Sequence, residues 1–322
     1  MPLFFVHIPK TAGTSFRLGA EQAFGNPRIV YDYGKASPET DTLAQALLYD
    51  AQQPDFRAFG QACEKERTAM VGGHVSVGRF VPLFGVGNTL TFLREPLQRM
   101  ASEYAHFVRH YQYKGSFHDF YSRPVMHNRQ SKMLHGVDLE AFGFVGLNER
   151  YADSLGMLNA HYKIDIPTRE DNRGKEPLDA AHAISEEDAA ELKRLNKRDI
   201  ALYQRASELF EQRYDLYQGE KTWAHARLME CTTQRISGWA WWAGEGEKPV
   251  EVEVWVNGWQ EDTVSAVDLR PGLCRLRPPR GGYVGFQLPV TLKAGDSVQC
   301  RVVQTGQRFP LKPATIAEPN TK

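Results

Sequence analysis

The chain has 322 residues, more than one average domain, so two domains are the first expectation. Its composition is ordinary for a globular protein, 42% hydrophobic and 24% charged. Its 39 basic and 39 acidic side chains cancel, which removes any bulk electrostatic reason to expect nucleic acid or an anionic membrane as partner.

Leu3 to Ile8 is a short apolar run bounded by Pro9 and predicts a buried parallel strand. Thr14 or Ser15 is expected to cap a helix with apolar positions at Phe16, Ala20, Ala23 and Phe24, which Gly25 stops. Ala69 to Val71 predicts a second strand, followed by Gly72, Gly73 and His74, and Thr89 to Leu93 a third. Pro96 suits the first position of the next helix, whose apolar face runs through Leu97, Met100, Ala101, Tyr104, Val108 and Tyr111. Ser185 with Asp188 predicts a capping box before one long helix with Leu192, Leu195, Leu202, Ala206, Leu209 and Phe210 on its apolar face. Such alternation argues for an α/β domain with a mostly parallel sheet flanked by helices, over residues 1–222.

All six tryptophans lie between Trp223 and Trp259, and this composition break suggests the domain boundary. Beyond it, Val250, Val252, Val254 and Val256 alternate with polar or aromatic residues at period two, and Asn257-Gly258 is a hairpin signal. Ile236–Trp242, Val284–Leu288 and Val298–Val303 are further strand candidates. The expectation is an all-β, sandwich-like module over 223–312 and a loose tail over 313–322. Trp239, Trp241, Trp242, Trp255 and Trp259 either stack on sugar rings or serve as core.

No basic segment leads an apolar run at the amino end, and no stretch approaches the roughly 18 apolar residues of a membrane span. A soluble cytoplasmic chain is expected. Cys63, Cys231, Cys274 and Cys300 form no CxxC pair and show no zinc-ligand spacing with histidine, so they read as reduced thiols.

The chemistry-bearing segments begin with Pro9-Lys10-Thr11-Ala12-Gly13-Thr14-Ser15. Small residues between a strand and a helix let backbone N–H groups and the positive helix end approach an anion, and Lys10 adds a full charge. The order is not that of a Walker A loop, because the lysine precedes the loop. By itself the segment equally fits an ordinary strand–turn–helix corner. Between Arg94 and His135 stand seven Arg/Lys against three acids, with five of the ten histidines. That region is either a rim for an anionic acceptor or a solvated helix face with a loop.

Phe5 to Ser15 resembles the 5′-phosphosulfate loop of carbohydrate sulfotransferases that use 3′-phosphoadenosine-5′-phosphosulfate (PAPS), specifically the heparan sulfate 2-O-sulfotransferase-like group in a bacterial form. The resemblance implies the P-loop-like sulfotransferase fold over about residues 3–218 and PAPS as donor, with adenosine 3′,5′-bisphosphate as product. It places Lys10 on the phosphosulfate, with Thr11, Ala12, Gly13, Thr14 and Ser15 as the cradle. Thr91 to Tyr104 resembles the family's 3′-phosphate motif, which implies Arg94 and Ser102 on that phosphate. Val71-Gly-Gly-His-Val-Ser76 is similar to the stretch that carries the family's base, which implies His74 as general base, though the histidine often found two positions earlier is here Gly72. Asn128-Arg129-Gln130-Ser131-Lys132 resembles a loop of bacterial members, which points to Asn128, Arg129 and Lys132 near a glycan or other hydroxyl-bearing acceptor. No metal is expected. The start of the first motif almost at Met1 suggests a version without the membrane anchor of Golgi-type relatives. The competing expectations are a kinase or phosphotransferase, disfavoured by the missing Walker A order, and a glycan-binding scaffold with a vestigial nucleotide site.

Overall fold

A computed structural model describes residues 1–168, 183–244 and 247–317. The chain divides into two compact units, one of residues 1–84, 88–137 and 144–210, the other of 85–87, 138–143 and 211–322. The division falls inside the helix Lys197–Gln218 rather than at the composition break at 222.

The first unit is α/β. Strands β1 (Leu3–Val6), β2 (Ile29–Tyr31), β3 (Met70–Gly73), β4 (Thr89–Leu93) and β5 (Phe144–Leu147) form a parallel sheet in the order β2-β3-β1-β4-β5. β1, β3, β4 and β5 are buried at every position, as expected of strands covered on both faces. Buried Thr91 on β4 donates its hydroxyl to the Val6 carbonyl of β1 at 2.8 Å. Phe5 and Phe16 pack edge to face at 4.7 Å, and Phe92 tilts onto Phe16 at 5.2 Å, so the first helix is fixed to the sheet by aromatic contacts.

The helices that frame the crevice follow their local signals with some shifts. Helix α1 (Gly13–Phe24) ends at Gly25, whose φ of 80° only glycine adopts without strain. Its cap is Ala12, so the expected capping by Thr14 or Ser15 does not occur; both lie inside the first turn. Helix α2 (Phe56–Lys65) is capped by Asp55. Helix α3 (Pro96–Tyr111) begins with proline at its first turn and with Glu95 accepting from the Gln98 N–H. Helix α4 (Arg129–Met133) and helix α5 (Tyr151–Tyr162) follow. The single long helix expected after Ser185 is two, α6 (Glu186–Leu195) and α7 (Lys197–Gln218). Asn196 breaks it because its amide is drawn out of helical geometry, donating to the Leu192 carbonyl and accepting from the Asn128 N–H.

The second unit contains two antiparallel sheets. β6 (Ala224–Cys231), β7 (Arg235–Trp242), β10 (Asp268–Leu269) and β11 (Tyr283–Pro289) form one, and β8 (Glu251–Val256), β9 (Trp259–Ser265), β12 (Ser297–Val302) and β13 (Arg308–Thr315) the other. Both sheets feed one core, with Ala226, Ile236 and Phe286 from the first meeting Val252, Val254 and Cys300 from the second. The expected loose tail starts later than 313. Residues 313–315 belong to β13 and Ile316 is buried, because an apolar residue just past the strand still reaches that core; 318–322 lie outside the described residues. The tryptophans separate clearly. Trp239 and Trp241 are buried and stacked at 4.5 Å, which removes them as sugar platforms. Trp242 packs partly buried against the core, and Trp255 is covered by the Arg301 guanidinium at 4.0 Å. Trp259, beside the Asn257-Gly258 turn, is 81% exposed.

Candidate functional site

The order of the parallel sheet fixes where a site can form. β1 lies between β3 and β4, and the chain builds one side of β1 before crossing to the other, so the crevice over the carboxyl end of β1 is the switch point. Four strand ends deliver side chains there: His7 after β1, Tyr33 after β2, His74 after β3 and Arg94 after β4.

The loop from β1 to α1 is strained. Lys10 and Ala12 have φ of 68° and 64°, the left-handed region, which costs an L-residue roughly 1–2 kcal/mol. Strain of this kind concentrates where backbone must face a ligand. Buried Thr11 locks the loop through its hydroxyl on the Ile8 carbonyl at 2.9 Å. No side chain caps the start of α1 and no acid occupies its first turn among the described residues, so the helix end stays positive. Gly13 is required by contact: a Cβ there would fall 2.0 Å from the His7 ring. Thr14 is exposed and Ser15 buried, both in the first turn of α1.

Cations gather around the loop. Burial lowers the Lys10 pKa, the Arg94 charge lowers it further, Glu103 opposes this and Arg109 adds to it. Arg94 has its backbone framed by one buried side chain: its N–H donates to Gln130 Oε1 at 3.0 Å and its carbonyl accepts from Gln130 Nε2 at 2.9 Å. Ser102 stands half-buried two turns into α3, beside the buried Glu103. Glu103 accepts from Arg99 at 2.5 Å and from Arg129 at 3.3 Å, which ties Arg129 to the crevice from the start of α4.

α4 itself is clamped from α7. Asp199, 1% exposed, accepts from the N–H of Gln130 at 3.0 Å, and from the N–H and hydroxyl of Ser131, both at 2.7 Å. Asn128 sits at φ 52°, tolerable for asparagine, and its amide oxygen accepts from the N–H groups of Arg198 and Asp199 while its NH2 donates to the Leu195 carbonyl. The Asn128 side chain is therefore committed to starting α7. Lys132 is exposed, with Nζ on the Pro124 carbonyl at 3.2 Å. Of the three residues expected near an acceptor, Arg129 is the one that joins Glu103 at the crevice.

His74 is bracketed by two rings, His7 at 4.5 Å and Tyr33 at 4.8 Å. Surrounding protein lowers its pKa, as do the Arg129 and Arg17 charges, with Glu103 opposing. The outer edge of the residue is solvent-exposed, so water screens those charges and moderates the shift. The end of β2 that carries Tyr33 is braced by Asp32, fully buried, which accepts from Arg79 at 2.7 Å and from the Tyr49 hydroxyl at 2.6 Å. Gly73 permits this closeness, since a Cβ there would meet the Asp32 carbonyl at 1.8 Å.

Sequence reasoning had not singled out His7, Tyr33, Arg17, Glu103 or Asp32. A signal existed for two of them: His7 is the polar interruption of the run Leu3–Ile8, and Arg99 with Glu103 has i,i+4 spacing on a buried helix face. Compared with protein-family models, curated proteins and solved structures, the chain finds no match.

Proposed function

We propose that the chain is a PAPS-dependent sulfotransferase that places a sulfuryl group on a hydroxyl of a glycan or glycoconjugate. One observation carries the reading: a strained loop with Lys10, a cation at the next strand end, Arg94, and a His74 whose neutral form is favoured all face one crevice at the sheet's switch point. The loop geometry suits a phosphosulfate, because left-handed residues at Lys10 and Ala12 turn backbone N–H groups toward an anion. The order β2-β3-β1-β4-β5 is compatible with the P-loop-like fold of these enzymes.

In this reading Lys10 and the cradle Thr11 to Ser15 hold the phosphosulfate, and Arg94 with Ser102 holds the 3′-phosphate, Arg94 as a fork and Ser102 as a neutral donor. The acceptor oxygen attacks sulfur in line. As that S–O bond forms, the bond from sulfur to the bisphosphate breaks, and the acceptor proton passes to His74. Lys10 offsets the charge that grows on the departing oxygen. Arg129, held by Glu103, offers a charge to an anionic acceptor.

The test is transfer of labelled sulfate from PAPS across a panel of glycans and glycoconjugates. The wild-type chain is expected to label at least one acceptor, and His74→Ala to lose about 10²–10⁴-fold in rate while still binding adenosine 3′,5′-bisphosphate. Near-normal turnover by His74→Ala would remove the base assignment.

A further inference from the structure

The second unit carries a pair of like charges that its fold does not neutralise. Strands β8, β12 and β13 send Val252, Val254, Cys300 and Phe309 into the core, so the residues alternating with them lie on the outer face of that sheet. On that face the register sets one row: Arg308 on β13 opposite Arg301 on β12, Arg301 opposite Glu253 on β8, and Glu253 opposite Thr263 on β9. Like charges directly opposite one another destabilise a sheet. Neither arginine side chain has a hydrogen bond or ion pair among the described residues, and Arg301 Nε is buried without a partner.

Glu253 stands opposite Arg301 yet forms no ion pair with it. Its carboxylate instead accepts from the Trp255 Nε1–H at 2.9 Å, and the Arg301 guanidinium lies over the Trp255 ring at 4.0 Å. Each contact fixes the next: Glu253 holds the indole, and the indole holds the guanidinium. A stacked guanidinium keeps its N–H groups in one plane, the geometry that suits an oxyanion. Arg308, exposed and directly opposite, adds a second charge to the same spot.

The surroundings narrow the anion that fits. The Glu253 carboxylate, one strand away, repels a dense polyanion and offers an acceptor to a hydroxyl. Gln260 lies opposite Trp255, exposed, and its amide donates to the exposed Thr263 hydroxyl at 3.1 Å, which adds further hydrogen-bonding groups on that side. One anionic group flanked by hydroxyls is the chemistry of an acidic sugar.

We propose that the outer face of β8, β9, β12 and β13 is a binding site for an acidic glycan, with Arg301 and Arg308 on a carboxylate or sulfate ester and Glu253, Gln260 and Thr263 on neighbouring hydroxyls. The site lies in the unit that does not carry Lys10, His74 or Arg94, and it stands whether or not the chain transfers sulfate.

The test is titration of the full chain, without PAPS, with tetrasaccharides of three kinds: oligogalacturonate, a sulfated galactan fragment and uncharged cellotetraose. The readout is the Trp255 indole ¹H–¹⁵N signal, which Trp255→Phe identifies. The signal is expected to shift with one or both acidic tetramers, the tighter ligand identifying the anion, and to stay in place with cellotetraose. Arg301→Gln and Arg308→Gln should each weaken that binding by about 10–100-fold, the loss expected for a charge-assisted contact. Arg308→Gln should unfold at no lower temperature than wild type, because it relieves a like-charge contact, so its lost binding is not lost folding. The proposal is overturned if cellotetraose binds as tightly as the acidic tetramers, if inorganic sulfate alone reproduces the shift at the same concentration, if a single-stranded oligonucleotide binds more tightly than either acidic tetramer, or if Arg301→Gln binds like wild type. None of these outcomes depends on sulfate transfer, so failure here leaves the reading of the first unit untouched.

Discussion

His74 meets charges of both signs, and their balance makes a pH prediction. Arg129 and Arg17 disfavour its imidazolium, Glu103 favours it, and the His7 and Tyr33 rings pack against it. A base whose pKa lies below the ordinary value of about 6.5 stays neutral, and so competent, as pH falls past that value. The acid limb of kcat/KM is therefore expected below pH 6.5, and Arg129→Met, which removes a charge that lowers the pKa, should move the limb upward. A limb unmoved by Arg129→Met would separate His74 from the chemistry. Lys10, His74 and Arg94 were readable in the sequence because each stands at the end of an apolar run. Their setting was not. His7 lay inside a run that reads as strand, and Tyr33 lies two residues beyond a strand of only three residues. What makes these residues a group is the adjacency of β2, β3 and β1, which local sequence does not encode.

At the scale of elements, α4 is a short helix whose position depends on α7. Asp199 takes three hydrogen bonds from Gln130 and Ser131, and Gln130 in turn frames the Arg94 backbone. Asp199→Ala leaves two buried backbone donors unsatisfied, at a cost of about 2–3 kcal/mol. Thermal unfolding should begin roughly 5–10 °C lower, and bisphosphate affinity should fall with it as Arg94 loses its frame. Unchanged affinity would mean that α4 does not position Arg94. β1, β4, α1 and α3 were legible from apolar periodicity and from Gly25 and Pro96, which act locally. The break between α6 and α7 was not, because it depends on an Asn196–Asn128 hydrogen bond across a long sequence separation. Asn128, whose pattern suggested acceptor contact, uses its side-chain oxygen to accept from the first N–H groups of α7, again across a long sequence separation.

In the whole molecule, the change from α/β to β architecture was visible in composition, while the place of division was not. The boundary falls within α7, a continuous helix with no turn signal at that point, and the second unit also takes in 85–87 and 138–143. The tryptophan cluster that marked the second unit is mostly structural. Trp239→Ala should destabilise by about 3–5 kcal/mol, whereas Trp259→Ala, at an exposed hairpin, should stay within about 0.5 kcal/mol of wild type; urea unfolding followed by circular dichroism separates them. The central claim concerns the donor, and the most direct measurement is calorimetric titration of the full chain with adenosine 3′,5′-bisphosphate, AMP and ATP. The account predicts micromolar or tighter binding of the bisphosphate, weaker binding of AMP, and an Arg94→Ala variant in which that preference shrinks by about 10–100-fold. Binding of ATP in preference to the bisphosphate, or no binding of the bisphosphate at all, would contradict it.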